Sequence, residues 1–396
     1  MYLPDDITLE IFSWLPAESI YKFKCVDKFF NAQFSNDTLF IKKQSKNSLL
    51  RDDDSCFFIQ PNTNQRYSAT TEFHHLCPKK PASSVSNKFL QFLEHYPSFR
   101  IVASSNGLIL GRNNGELFMC NPVTQSWLPI STPNSLNKYP DADLKLAFEC
   151  NLEDSHDDFM LFLFEVQDER ASQYHDVKFY FKKEGMWKAT ETSFFTGARS
   201  LRFDMHVYHR KALHFISDCS AFLSKKSPFF RPYIMAYNVE DGRSRMLRLP
   251  KEARTGSHDS TTQMGIYKWG KSASLDQSIC LVRLRKNVFT VWVLTDYEVN
   301  QWRRILKIRV EAIIGLKDEE EPIIVTGFTV SNGKQLIFAT KMKVYGFGLS
   351  EDNYMIVEEV CEHGFESDSV CFTCYSDTLH HCGDGATIFP LLPGTT

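Results

Sequence analysis

Residues 371–382 read CFTCYSDTLHHC, and their side chains could do metal chemistry. Cys371, Cys374, His380 or His381, and Cys382 would supply four zinc ligands in twelve residues, because thiolate and imidazole are the donors of a tetrahedral zinc site. A compact structural site normally pairs two such knuckles, and only one Cys-x-x-Cys is present here. The expectation is therefore thiols packed in a strand, with no metal. Other catalytic patterns fail on spacing. The stretch NGLILGRNNG (106–115) lacks the lysine and the interval of a phosphate-binding loop. No Gly-x-Ser-x-Gly elbow occurs. Cys25 has no activating neighbour in its apolar helix and reads as packing. The acidic run Asp318 to Glu321 reads as a solvated loop, and the twelve histidines are dispersed. No catalytic or cofactor-binding residue is assigned, and the chain is expected not to be an enzyme. A hydrolase or lyase would need acids, bases or metal ligands converging at one mouth.

The bulk composition agrees with a binding role. The 396 residues are 43% hydrophobic and 23% charged, enough apolar material for a full core. A formal charge of −3 gives no drive toward nucleic acid or an anionic membrane. Asp5 and Asp6 stand where a secretory signal would carry lysine or arginine. The longest apolar run, Phe159 to Phe164, is far short of the roughly 18 residues of a membrane span. Eleven scattered cysteines, an odd number, fit free thiols in a reducing compartment. Asn36-Asp37-Thr38 is a glycosylation acceptor by pattern only.

The elements that must carry any function fall into two kinds. In LPDDITLEIFSWLP (3–16), Leu3, Ile7, Ile11 and Leu15 recur every four residues, one face of a helix, with Phe12 and Trp14 off that stripe. Pro4 suits its first turn, Asp5 and Asp6 suit its dipole, and Pro16 ends it. AESIYKFKCV predicts a second short helix with Ile20 and Phe23 on one side. DKFFNAQFS predicts a third, capped by Asp27, with Phe30 and Phe34 four apart. The polar stretch 43–56 marks a domain boundary, giving helical residues 1–45 and a second domain over 46–396. SNKFLQFLEHYP predicts one more short helix before Pro97.

From about residue 57 the chain reads as strands, rich in β-branched and aromatic types in SICLVRL and NVFTVWVL. Turn pairs recur at Asn114-Gly115, Glu184-Gly185, Asp241-Gly242 and Asn332-Gly333. The first and last lie between apolar runs, as two-residue hairpin loops do. A longer period also emerges. LFMCNPVTQSWLPI, FYFKKEGMWKAT, IMAYNVEDGRSRMLRLP and VWVLTDYEVNQWRRI each read as a strand, a polar turn, and a large residue opening a second strand. The markers Trp127, Trp187, Met246 and Trp302 are spaced by 60, 59 and 56 residues. Tyr67 and Ile356 extend the series to six units. The predicted fold is a small α-helical segment followed by a large all-β domain, a six-bladed β-propeller. An irregular stack of antiparallel sheets is the alternative.

The N-terminal stretch through Asp37 resembles an F-box, on Leu3-Pro4, Ile7, Ile11, Leu15-Pro16, the FKCVDK stretch and the aromatic that follows. Phe30 stands where that family usually has tryptophan, and Gln33 where an apolar residue is common. IVASSNGLILGRNNGELFMCNPVTQSW (101–127) resembles the start of the F-box-associated domain of plant F-box proteins, a kelch-like or propeller-like β domain. Asn106-Gly107-Leu108, Asn121-Pro122, Thr124 and Trp127 carry that likeness. The resemblance implies a substrate receptor of an SCF-type ubiquitin ligase. The F-box would bind a Skp-type adaptor and through it a cullin, and the β domain would hold a target protein. A small molecule, glycan or regulatory protein is the alternative ligand.

The resemblance also implies an adaptor-binding set. Leu3, Pro4, Ile7, Ile11 and Leu15 form its first part. Pro16, Ile20, Cys25, Val26, Lys28 and Phe30 form its second. Some of these must be internal core, and the sequence does not separate the two groups. Three short helices with apolar residues on several sides bury too little by themselves, so they pack on a partner or on the β domain of the same chain. Candidate target-binding loops are 131–143, 217–233 and 254–263, chosen on length and composition. No nucleic-acid or membrane partner is expected, and the expected location is the cytoplasm, the nucleus or both.

Overall fold

The computed structural model describes residues 3–51, 55–62, 71–76, 99–113, 115–133, 145–150, 159–166, 173–219, 223–255, 261–270, 277–315, 323–331, 333–349, 357–365 and 367–382. Four helices open the chain: α1 (Asp5–Ser13), α2 (Ala17–Phe23), α3 (Lys28–Asn36) and α4 (Thr38–Leu50). The Asp27 carboxylate accepts the Phe29 amide at 2.6 Å and so caps α3, as expected. Asp37 caps α4 by accepting the amides of Leu39 and Phe40.

Helix α4 adds a fourth helix to the three expected and runs unbroken through residues 45 and 46, within the polar stretch. Its buried face carries Gln44, Ser45, Asn47 and Ser48 beside Phe40 and Ile41. No apolar period marks such a face, so the polar stretch read as a linker. The helix expected over 86–97 lies outside the described residues.

The remaining strands form six antiparallel sheets. β1 (Ser55–Pro61) and β2 (Glu72–His75) begin the first. The second is β3 (Arg100–Ser105), β4 (Leu108–Asn113), β5 (Glu116–Asn121) and β6 (Ser126–Ile130). The third is β7 (Leu146–Glu149), β8 (Met160–Val166), β9 (Tyr174–Phe181) and β10 (Met186–Phe195). The fourth is β11 (Leu201–His209), β12 (Ala212–Ser217), β13 (Tyr233–Asn238) and β14 (Ser244–Arg248), followed by the short helix α5 (Lys251–Arg254). The fifth is β15 (Gln263–Trp269), β16 (Ser278–Arg285), β17 (Val288–Asp296) and β18 (Gln301–Arg309), followed by α6 (Val310–Ile314). The sixth is β19 (Gly327–Ser331), β20 (Gln335–Ala339), β21 (Lys343–Gly348) and β22 (Val357–Glu362). The last strand, β23 (Val370–Ser376), returns to pair with β1 along its whole length. Six sheets in sequence, the first completed by the C-terminal strand, are the blades of the six-bladed β-propeller that the repeat predicts.

The markers mean the same thing in each blade. Trp127, Trp187, Met246 and Trp302 all lie on the fourth strand, opposite Cys120, Tyr180, Met235 and Leu294 of the third. Trp127 stacks on Phe118, and Trp187 meets Tyr180 edge-on. Trp302 donates its Nε1 proton to the Arg248 carbonyl at 3.1 Å, joining the fourth and fifth sheets. Tyr67 and Ile356 lie outside the described residues. The glycines at 115 and 333 carry positive φ between β4 and β5 and between β19 and β20, as hairpin turns require.

The chain divides into two compact units. The first comprises Met1–Ala142, Phe148–Met160 and Ser369–Thr396, and so holds the helices and the first two sheets. The second comprises Asp143–Ala147 and Leu161–Asp368. In the first, Phe58, Phe99, Ile109 and Phe118 form a core between its two sheets. In the second, Phe289, Val291, Phe328 and Phe338 anchor the core between the fifth and sixth sheets.

Candidate functional site

The site is built on the N-terminal helices and begins from the seat they stand on. Asn121 donates from Nδ2 to the carbonyls of Thr378 (3.0 Å) and His380 (2.6 Å), and its Oδ1 accepts the Val123 amide. Ser126 Oγ accepts the Cys382 amide at 3.0 Å. Thr378 Oγ1 donates to the Asn106 carbonyl, and a Cβ on Gly107 would lie 2.1 Å from that same oxygen. Glycine is required there both for this approach and for its φ of +78°. The Asn106-Gly107 and Asn121-Pro122 motifs thus hold residues 377–382 against the second sheet.

The helices cover that seat. Ala17, Ile20, Phe34, Phe40 and Ile41 share one cluster with Val123 and Leu379, and Leu9, Phe12, Leu15 and Phe30 pack against it. Phe12 lies 5.1–5.3 Å from the rings of Phe23, Phe30 and Phe34. The polar face of α4 fixes the geometry. Gln44 Oε1 accepts the Leu379 amide, and its Nε2 reaches Ser48 Oγ and the Leu15 carbonyl. Asn47 Nδ2 donates to Ser13 Oγ, and Arg51 donates to the Trp14 carbonyl. Glu10 pairs with Lys43 on the surface, and the lysine bond holds the Glu10 carboxyl below its usual range.

The opposite face of the same helices is uncovered. Leu3 is 58%, Ile7 45%, Ile11 53%, Trp14 48% and Val26 71% exposed. Tyr21, Phe23, Phe29 and Leu39 are also exposed. Exposed apolar side chains this numerous on four short helices are unusual for a surface that meets only water.

The structure divides the eleven expected adaptor-binding residues into two groups. Leu3, Pro4, Ile7, Ile11, Cys25, Val26 and Lys28 are exposed, and Pro16 is half-buried. Ile20 is fully buried in the chain's own cluster, which removes it from any surface set. Leu15 and Phe30 are half-buried against that cluster and act as packing. Leu15 departs from the four-residue stripe because α1 ends at Ser13, with Trp14 as its C-cap. Trp14 takes the outward place instead. Phe29, one position before Phe30, is the aromatic that α3 turns outward. The helical period puts Ile7 and Ile11 on one exposed side and fails at Leu15, where the helix has stopped.

Cys371 and Cys374 sit on β23, paired with Gln60 and Phe57 of β1. Cys382 lies against Ser126, with Sγ 3.1 Å from Oγ. Among the described residues no group of three or more His, Cys, Asp or Glu side chains is placed to hold a metal ion. No described helix is long and apolar enough to cross a membrane. Of the candidate loops, residues 134–143, 220–222 and 256–260 lie outside the described residues. The described parts of 217–233 and 254–263 flank the fourth sheet.

Comparisons with known proteins agree with this architecture. A family described as the F-box associated beta propeller domain matches residues 47–349. F-box protein At5g49610 of Arabidopsis thaliana is 25% identical over 374 residues, covering 86% of this chain and 89% of the relative. F-box protein At1g30790 of Arabidopsis thaliana is 23% identical over 319 residues, covering 76% and 74%. F-box protein At5g18160, also of Arabidopsis thaliana, is 29% identical over 139 residues, covering 33% of this chain and 32% of the relative.

Proposed function

Because the chain belongs to the F-box associated β-propeller family, we propose that it is the substrate receptor of an SCF-type ubiquitin ligase. One observation carries this reading: α1–α3 dock one apolar face on the chain's own second sheet and leave a second apolar face uncovered. A Skp-type adaptor covers that face, with Leu3, Pro4, Ile7, Ile11 and Trp14 as one contact strip and Cys25, Val26, Lys28 and Phe29 as another. Burying such side chains contributes about 25 cal/mol per Å2 of apolar area, and binding the folded form stabilises it by mass action.

The receptor itself forms no bond. It raises the effective concentration of a target lysine near a charged ubiquitin-conjugating enzyme, and the rigid sheets hold the target in place. This work is done in the cytoplasm, the nucleus or both, where the ligase meets its target. Full-length protein co-expressed with a Skp-type adaptor should co-purify with it in a one-to-one complex. Failure of the intact, folded chain to capture any such adaptor would contradict the assignment.

A further inference from the structure

We propose that an adaptor held on the outward face of the helices tightens the seam between β1 and β23, so that the β domain is more firmly closed inside the ligase than outside it. This rests on the adaptor reading above and adds a regulation of the receptor to it.

The seam joins the two ends of the β domain. β1 and β23 pair antiparallel from Ser55–Ser376 to Pro61–Val370, and the rest of the domain lies between them in sequence. No short turn ties the two strands, so their pairing carries the closure entropy of that whole length.

The helices reach both strands of the seam. Helix α4 ends at Leu50, and β1 begins at Ser55. Beyond β23, Leu379 is fully buried in one cluster with Ala17, Ile20, Phe34 and Phe40, and its amide donates to Gln44 Oε1 at 3.0 Å. The same Gln44 side chain, itself fully buried, donates from Nε2 to Ser48 Oγ at 2.9 Å and to the Leu15 carbonyl at 3.4 Å. One side-chain amide thus ties together the turn after α1, helix α4 and the tail of β23. Asn47 Nδ2 donates to Ser13 Oγ at 2.9 Å and fixes α1 on α4. All of these residues, and both strands of the seam, belong to the first compact unit.

The adaptor therefore reaches the seam without touching a strand. A small segment with few buried contacts opens locally at lower cost than the whole fold. When the helices open, Leu379 loses the acceptor of its amide and its apolar cover together. An adaptor binds only the folded helices, so it suppresses those openings and the loosening of β23 that follows. Linkage is reciprocal, so a loosened β23 also weakens adaptor binding. The bonds of Asn106, Asn121 and Ser126 to residues 378–382 do not involve the helices, and they limit the effect to a loosening.

The test is hydrogen–deuterium exchange on the full-length protein, alone and saturated with a recombinant Skp-type adaptor of Arabidopsis thaliana. Protection of the β1 and β23 amides should rise about fivefold or more with adaptor, while β16 and β17 of the second unit change by less than about twofold. Gln44→Ala and, separately, Leu379→Ala should still capture the adaptor, because both side chains are buried away from its face, yet each should cut the gain at the seam to about twofold or less. The gain is a ratio measured on one variant with and without adaptor, so a lower baseline stability does not imitate the effect. Lys46→Ala, exposed on the same helix, should leave the gain intact. A second arm needs no adaptor. Ile20→Ala, which loosens the helices from within, should lower seam protection about fivefold in the free chain and spare β16 and β17. Capture with no gain at the seam, an equal gain in the fifth sheet, or an undiminished gain in both Gln44→Ala and Leu379→Ala would overturn the proposal. Failure of capture together with the Ile20→Ala effect would sink the ligase reading and leave the link between helices and seam standing.

Discussion

The two faces of the N-terminal helices are built from the same residue types and meet opposite fates. Leu9, Phe12, Phe30 and Phe34 turn inward onto Val123 and Leu379, while Leu3, Ile7, Ile11 and Trp14 of the same stretch stay in solvent. Apolar composition therefore does not distinguish core from interface in so small a domain. The polar anchors do. Gln44 bonds to the Leu379 amide and Asn47 to the buried Ser13 hydroxyl, so they fix which face docks and which remains open.

Substitutions on the inward face should cost stability, and those on the outward face should not. The largest effect is expected from Phe34→Ala, which removes a fully buried ring contacting Phe12, Phe30 and Phe40. It should destabilise the helical segment by about 3–5 kcal/mol and make it a protease target before the sheets unfold. Limited proteolysis with mass spectrometry would show cleavage confined to the first 50 or so residues. Asn47→Ala should cost about 1 kcal/mol, because it deletes the buried bond to Ser13, and should be visible in chemical denaturation.

Acidification should loosen the inward face more gently. Burial, and then the Lys24 charge, lower the His381 imidazole from its ordinary value of 6.5, and both its ring nitrogens are buried without a partner. A base with a lowered folded value contributes stability that is complete above pH 6.5 and is lost as pH falls below it. The protection factors of α2 amides, after correction for the intrinsic exchange rate at each pH, should therefore fall between pH 7 and pH 5, and His381→Gln should flatten that dependence. Lys43→Ala should change stability by less than about 0.5 kcal/mol, because its pair with Glu10 is solvent-exposed.

Much of this was legible in the sequence because it rests on local periods. The fourth-strand markers Trp127, Trp187, Met246 and Trp302 keep their spacing because each opens the outer strand of one blade. The Gly115 and Gly333 turns show because positive φ demands a special residue. Where the chemistry was not local, the signal failed. Helix α4 buries amides and hydroxyls, so no apolar period betrays it. The β16–β17 turn uses Lys286 and Asn287 at positive φ with no glycine to announce it. Ile20 and Val26 looked alike until the fold buried one and exposed the other.

The comparison of the two faces is tested most directly by adaptor capture and thermal melting of one variant, Ile7→Asp with Ile11→Asp. Both side chains are exposed, so the melting temperature should stay within a degree or two of the parent, while capture of a Skp-type adaptor should be lost because two carboxylates cannot be desolvated in an apolar contact. Unchanged capture would contradict the account, and so would a melting temperature that falls as far as that of Phe34→Ala.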